Sequence, residues 1–129
     1  MARTVRCTDT TRAGRLAKAQ QFWSAAQTIE DFADDEANIT DAYTTLAIHA
    51  GIAAADVICC ARLGEHARGD DHDEAVALLA RADKARAKDL GALLRMKTRA
   101  GYSHEPTSRA DRHRAGRTAA RLVQAAIDL

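Results

Sequence analysis

Apolar positions recur at three- and four-residue steps along most of this chain, the period of one face of an α-helix. Leu16, Phe22, Trp23, Ala26, Ile29 and Phe32 follow that step and predict one long amphipathic helix from about Asp9 to Ala33. This helix carries most of the aromatics, and Trp23 is assigned to the core. Thr40 or Asn38 can accept a hydrogen bond from the free amides of the following turn. A second helix therefore starts there and stops at Gly64, a residue suited to a left-handed cap. It is apolar nearly all round, which makes it the central helix, and Gly51 with Ala50, Ala53, Ala54 and Ala55 predicts close packing against its neighbours.

Farther on, Asp70 and Asp71 can cap a third helix carrying Ala75, Leu78, Leu79 and Ala82, with Asp73 and Glu74 in its first turn, where the helix dipole favours anions. Lys84 to Lys88 has charge and few large apolar residues, and reads as a hinge or as a continuation of that helix. Leu90, Leu93, Leu94 and Met96 resume the stripe. After Gly101 the chain breaks through Ser103-His104-Glu105-Pro106, and Ser108 with Asp111 forms a capping box for a last helix bearing Ala119, Leu122, Val123, Ala126 and Ile127. The fold class is thus all-α, a four- to five-helix up-and-down bundle. Residues 1–8 fall into a flexible tail and residues 9–129 into a single helical domain.

Composition agrees: two Phe, two Tyr and one Trp leave the core to Ala, Leu, Ile and Val, and the one proline leaves long windows for helices. The apolar segment 42–60 carries His49 and Asp56, and no basic segment followed by an apolar one opens the chain. Neither secretion nor a membrane span is expected, and the location expected is the cytoplasm. Three cysteines make an odd count. Cys59 and Cys60 are helix neighbours pointing about 100° apart, unable to pair with each other, and are read as small buried hydrophobes, with Cys7 in the tail.

Net charge is only +1, but it is unevenly spread. Glu30, Asp31, Asp34, Asp35, Glu36 and Asp41 form an acidic run without an intervening base. Arg95, Lys97, Arg99, Arg109, Arg112, Arg114, Arg117 and Arg121 face only Glu105 and Asp111. Such asymmetry can steer a nucleic acid or a charged protein surface. The cluster Asp70, Asp71, His72 and Asp73 crowds consecutive positions and lacks the spacing that sets two ligands on one helical face, so no metal is expected. His49 shares a face with Leu46, Ala53 and Asp56 and is read as a core histidine, with Tyr43 or Tyr102 as its partner.

The order of the central helix (Ala42 to Gly64), the acidic helix start at Gly69-Asp70-Asp71-His72-Asp73-Glu74 and the segment Leu90 to His104 resembles the HEPN family across roughly Thr10 to Leu129. These are small helical bundles of bacterial conflict systems, often encoded beside a nucleotidyltransferase. The resemblance implies a HEPN-like bundle without cofactor and, as the first expectation, a non-catalytic antitoxin-like protein. It would neutralise a cognate nucleotidyltransferase-type toxin, with Lys97 and Tyr102 on the motif positions of non-nucleolytic members. Glu30, Asp31, Asp34 and Asp35, with Arg109, Arg112 and Arg117, are the partner- or RNA-facing candidates.

The alternative is a metal-independent ribonuclease toxin acting on tRNA or mRNA, in which Arg99-Ala-Gly-Tyr-Ser-His104 supplies an Arg-x4-His pair from each chain of a dimer. Arg99 would hold the scissile phosphate and His104 would move the proton of the attacking 2′-hydroxyl. A homodimer or a hetero-oligomer is expected under either reading.

Overall fold

The structure is a computed structural model that describes residues 3–69 and 71–129. Helix α1 (Asp9–Phe32) begins at Thr8, whose hydroxyl accepts the Thr11 amide at 3.1 Å while the Thr11 hydroxyl accepts the Thr8 amide at 3.3 Å. This reciprocal cap fixes the helix start. A turn of 3-10 helix over Glu36–Asn38 reverses the chain into α2 (Thr40–Leu63). Neither Asn38 nor Thr40 provides the expected side-chain cap. Ile39 occupies the cap position, the Thr40 hydroxyl donates back to the Ala37 carbonyl, and Asp35 caps the 3-10 turn by accepting from the Ala37 amide. Gly64 ends α2 as expected, at φ +74° with its amide on the Cys60 carbonyl.

Three short features depart from the expectation. Thr4–Arg6 forms strand β1, antiparallel to β2 (Glu65–Ala67), with Val5 opposite His66. Cys7 is disulfide-bonded to Cys60, and its amide donates to the Gly64 carbonyl. Residues 4–7 are therefore fastened to the end of α2 where a flexible tail was expected, and Cys60 is half of a cystine where a buried thiol was expected. Cys59 is the free, buried cysteine. The cause is tertiary: a three-residue strand has no periodicity of its own and is stabilised only by its partner.

The second half contains more helices than expected because two residues interrupt it. Asp71 caps α3 (His72–Ala82) by accepting the Glu74 amide; Asp70, the other expected cap, lies outside the described residues. Asp83 is extended at φ −160° and caps α4 (Lys84–Arg95) by accepting the Arg86 amide, so the Lys84 segment begins a helix after a break. Met96 separates α4 from the short α5 (Lys97–Gly101). Ser108 then accepts the Asp111 amide to open α6 (Arg109–Ile127), where the sequence places it. The molecule is mostly helical, with six α-helices and one two-stranded sheet among the described residues.

Helix α2 is central. Ala47, Ala50, Ala53 and Ala54 are fully enclosed, and α1, α4, α5 and α6 pack around it with Leu90, Leu93 and Leu122 against its small residues. A methyl group at Gly51 would collide with Leu93 and come within 3.2 Å of Leu122 Cδ1, so any larger residue there must displace those side chains. By length and composition α2 is also the one helix among the described residues able to cross a membrane, and in this fold most of its apolar window is buried by the rest of the chain.

The Cys7–Cys60 bond closes a 53-residue separation. Cys7→Ser is expected to lower the free energy of unfolding by up to about 4 kcal/mol, the chain-entropy value for a loop of that size, while the far-UV helical signal is retained. Urea denaturation of the variant beside the oxidised protein measures the difference.

Candidate functional site

The best-formed concavity lies where α2, β2, α3 and α4 meet. It holds about 280 Å³ and has an apolar floor of Ile52, Ala55, Ala67, Ala75, Leu90 and Leu94. Its polar wall is built from four elements. Arg15 on α1 donates from Nε to Asp56 Oδ2 on α2 at 2.8 Å. His66 on β2 sets Nδ1 at 3.9 Å from Asp56 Oδ1 and at 2.7 Å from the Ala67 carbonyl. A carbonyl only accepts, so Nδ1 carries a proton and Nε2 is left for another partner. Arg68 and His72 complete the lining.

Burial pushes the Asp56 carboxyl upward, against the opposing pull of Arg15 and His66. Cys59 also lines this cavity, and burial with the nearby Asp56 charge drives its thiol up to about 12. It stays protonated near neutral pH and is no nucleophile. Among the described residues, no group of three His, Cys, Asp or Glu side chains is placed to hold a metal ion.

The residues singled out in the sequence fall elsewhere, in two groups. At the end of the bundle where α1 finishes and α2 and α6 begin, Arg112 is buried, with 1 % of its side chain exposed. Its guanidinium bonds Glu30 at 2.6 Å, lies 3.2 Å from Glu36, and stacks 5.5 Å from the Tyr43 ring centre. Trp23 meets that ring edge-on, and Gly116 leaves space for its hydroxyl. Burial raises the Tyr43 pKa, Glu30 adds to the rise and Arg112 opposes it. Glu30 and Arg112 are thus engaged with each other. Asp35 is engaged as a cap, and Arg109 pairs with Glu36 at 3.5 Å. Of the expected partner-facing set, Asp31, Asp34 and Arg117 are exposed and form no ion pair among the described residues.

The second group surrounds α5. Lys97 and Tyr102 line a hollow of about 170 Å³ with Thr45, Ile48, His49 and Gly101, and Tyr102 is 80 % exposed. His49, expected in the core, is exposed here, its ring 5.8 Å from that of Phe22. Alternate faces of an all-apolar helix look alike in sequence, which concealed its position. Tyr102 shares its hollow, whereas Tyr43 faces Arg112.

Arg99 lies on the other side of α5, in a cleft with Arg95, Arg114, Thr107 and Asp111, and pairs with Glu105 at 3.5 Å. His104 is exposed in the following loop and does not line that cleft.

No family model matches this sequence, and no curated protein is significantly similar to it. The cavity residues Arg15, Asp56, His66 and His72 were not proposed as a site from sequence. The usable signal was Asp56, a lone carboxylate inside an apolar helix, which requires a buried partner.

Two outcomes are expected. Glu30→Gln with Glu36→Gln leaves a buried guanidinium without a counter-charge and should lower stability by about 3 kcal/mol, whereas Arg112→Met, which removes the charge and keeps the volume, should lower it by less, both read from urea denaturation. The His49 pKa is lowered by partial burial, then by Lys97 and Arg15. Its folded form therefore binds fewer protons than its unfolded form. The contribution is present above about pH 6.5 and is lost as pH falls through the folded value. His49→Gln should flatten the decline in melting temperature between about pH 7 and 5.

Proposed function

We propose that this protein is a HEPN-like, non-catalytic binding protein that docks on a nucleotidyltransferase-type partner and holds it inactive in the bacterial cytoplasm. The observation that carries the reading is Tyr102: an aromatic residue 80 % exposed, beside Lys97 and His49 at the edge of a hollow. Exposed tyrosines flanked by polar groups supply much of the binding energy in protein interfaces. The loop that Tyr102 opens reaches Asp41 at the start of α2, where the Thr107 amide donates to the Asp41 carboxylate at 2.8 Å. Phe32, 82 % exposed, and the unpaired Asp31 and Asp34 lie at the end of the bundle where α1 hands over to α2. An apolar and acidic surface of this kind complements a basic, nucleotide-binding partner.

A ribonuclease reading is favoured by one other observation, the three guanidinium groups of Arg95, Arg99 and Arg114 around a single cleft, a donor set suited to RNA phosphates. The two readings part on growth. Expressed alone, the chain should leave a bacterial host unharmed and, expressed with the neighbouring gene, rescue it. Tyr102→Ala should weaken rescue at least tenfold in inducer titration, and His104→Ala should have no effect. Toxicity of the chain alone, relieved by His104→Ala, would establish the ribonuclease.

A further inference from the structure

Three features of the cavity between α2, β2, α3 and α4 set its ligand chemistry. Its floor is apolar over all three helices and the strand. Its volume, about 280 Å³, lies at the lower edge of the range occupied by small-molecule sites. Its wall carries more cationic and donor groups than acids. Among the described residues Asp56 is the only carboxylate in the lining, and it already accepts from Arg15 Nε. The remaining Arg15 nitrogens, the Arg68 guanidinium and the ring nitrogens of His66 and His72 have no acid assigned to them among the described residues, apart from the contact of His66 Nδ1 with Asp56.

Of the described acids at this corner, three are engaged elsewhere, while Asp73 is exposed in the first turn of α3 and lines the adjacent hollow. Asp71 caps α3, Glu74 accepts from the Arg3 amide, and Glu65 pairs with Arg81. The start of α3 also presents the positive end of its dipole beside His72.

We propose that this cavity binds a compact organic anion, with an apolar body on Ile52, Leu90 and Leu94 and an acid group held at the wall by Arg15, Arg68 and His72. A guanidinium fork matches a carboxylate or phosphate with two parallel hydrogen bonds, and the partly enclosed setting strengthens them. Asp56 acts as a positioning residue: by holding Arg15 Nε it orients the other guanidinium nitrogens and prevents the cavity from carrying a larger positive charge when empty. The cavity and the docking surface around Tyr102 both use α2 but share no lining residue, so neither proposal depends on the other.

The test is titration of the full-length oxidised protein by calorimetry and by proton–nitrogen correlation spectra. The probes are benzoate, hexanoate and phenyl phosphate, beside the neutral benzamide and hexanamide. At least one anion is expected to bind with a Kd below about 1 mM and to shift the amides of residues 66–69 and 72, while its neutral counterpart binds at least tenfold more weakly. Arg68→Gln, a change at an exposed side chain, should weaken the anion about tenfold without altering the melting temperature of the free protein. Ala75→Phe should block binding by filling the floor. If Ala75→Phe does not fold, Arg68→Gln decides alone. Absence of binding by every anion, equal binding of the neutral probes, or unchanged affinity in Arg68→Gln would overturn the proposal.

Discussion

Everything in this fold is arranged around the thinness of one helix. Through its middle α2 offers its neighbours hydrogen atoms and methyl groups at Ala47, Ala50, Gly51, Ala53 and Ala54, interspersed with or followed by the larger Ile48, Val57 and Ile58. At Gly51 the bulk comes from outside: Leu93 and Leu122 reach inward until they occupy the space that a Cβ there would need. The apolar contact needed for stability therefore comes from close approach of backbones, with little aromatic bulk. A helix covered on so many sides exposes little surface of its own. Its polar residues are consequently conspicuous, and each marks a place where the covering is incomplete or a partner has been supplied.

Asp56 and His49 show the two outcomes. Asp56 faces inward and is met by Arg15 from α1 and His66 from β2, so a single carboxylate draws three elements to one corner. His49 faces a gap between α1 and α5 and remains partly in water, its ring tilted against that of Phe22. Arg112 and Glu30 make an analogous pair at the opposite end, where a buried cation is accommodated because two carboxylates and the Tyr43 ring surround it. Such pairs add modestly to net stability, yet losing either side is costly, so they define which arrangement of helices is acceptable.

The long helices were legible because their information is local. Periodicity set α1, the glycine at 64 set the end of α2, and Ser108 with Asp111 set the start of α6, each within a residue or two. What escaped was non-local. Strand β1 forms only because β2 lies beside it, and Cys7 meets Cys60 only once α2 has returned to the start of α1. Charged residues misled for a related reason: the acidic run and the basic end look like two free surfaces in sequence, and folding sets them against each other through Glu30, Glu36, Arg109 and Arg112. Beyond the lone carboxylate of Asp56 the cavity could not be read, since Arg15, Asp56, His66 and His72 come from four elements joined only in space.

The third cysteine, directly beside the cystine in sequence, bears on how faithfully that bond is kept. Disulfide exchange proceeds through the thiolate of the attacking cysteine. Burial and the nearby Asp56 charge push the Cys59 thiol up to about 12, so it stays protonated at neutral pH. The residue is also buried, as part of the core cluster. The odd thiol is thereby silenced, and the native pairing is protected from scrambling by the same desolvation that makes Cys59 a good core residue.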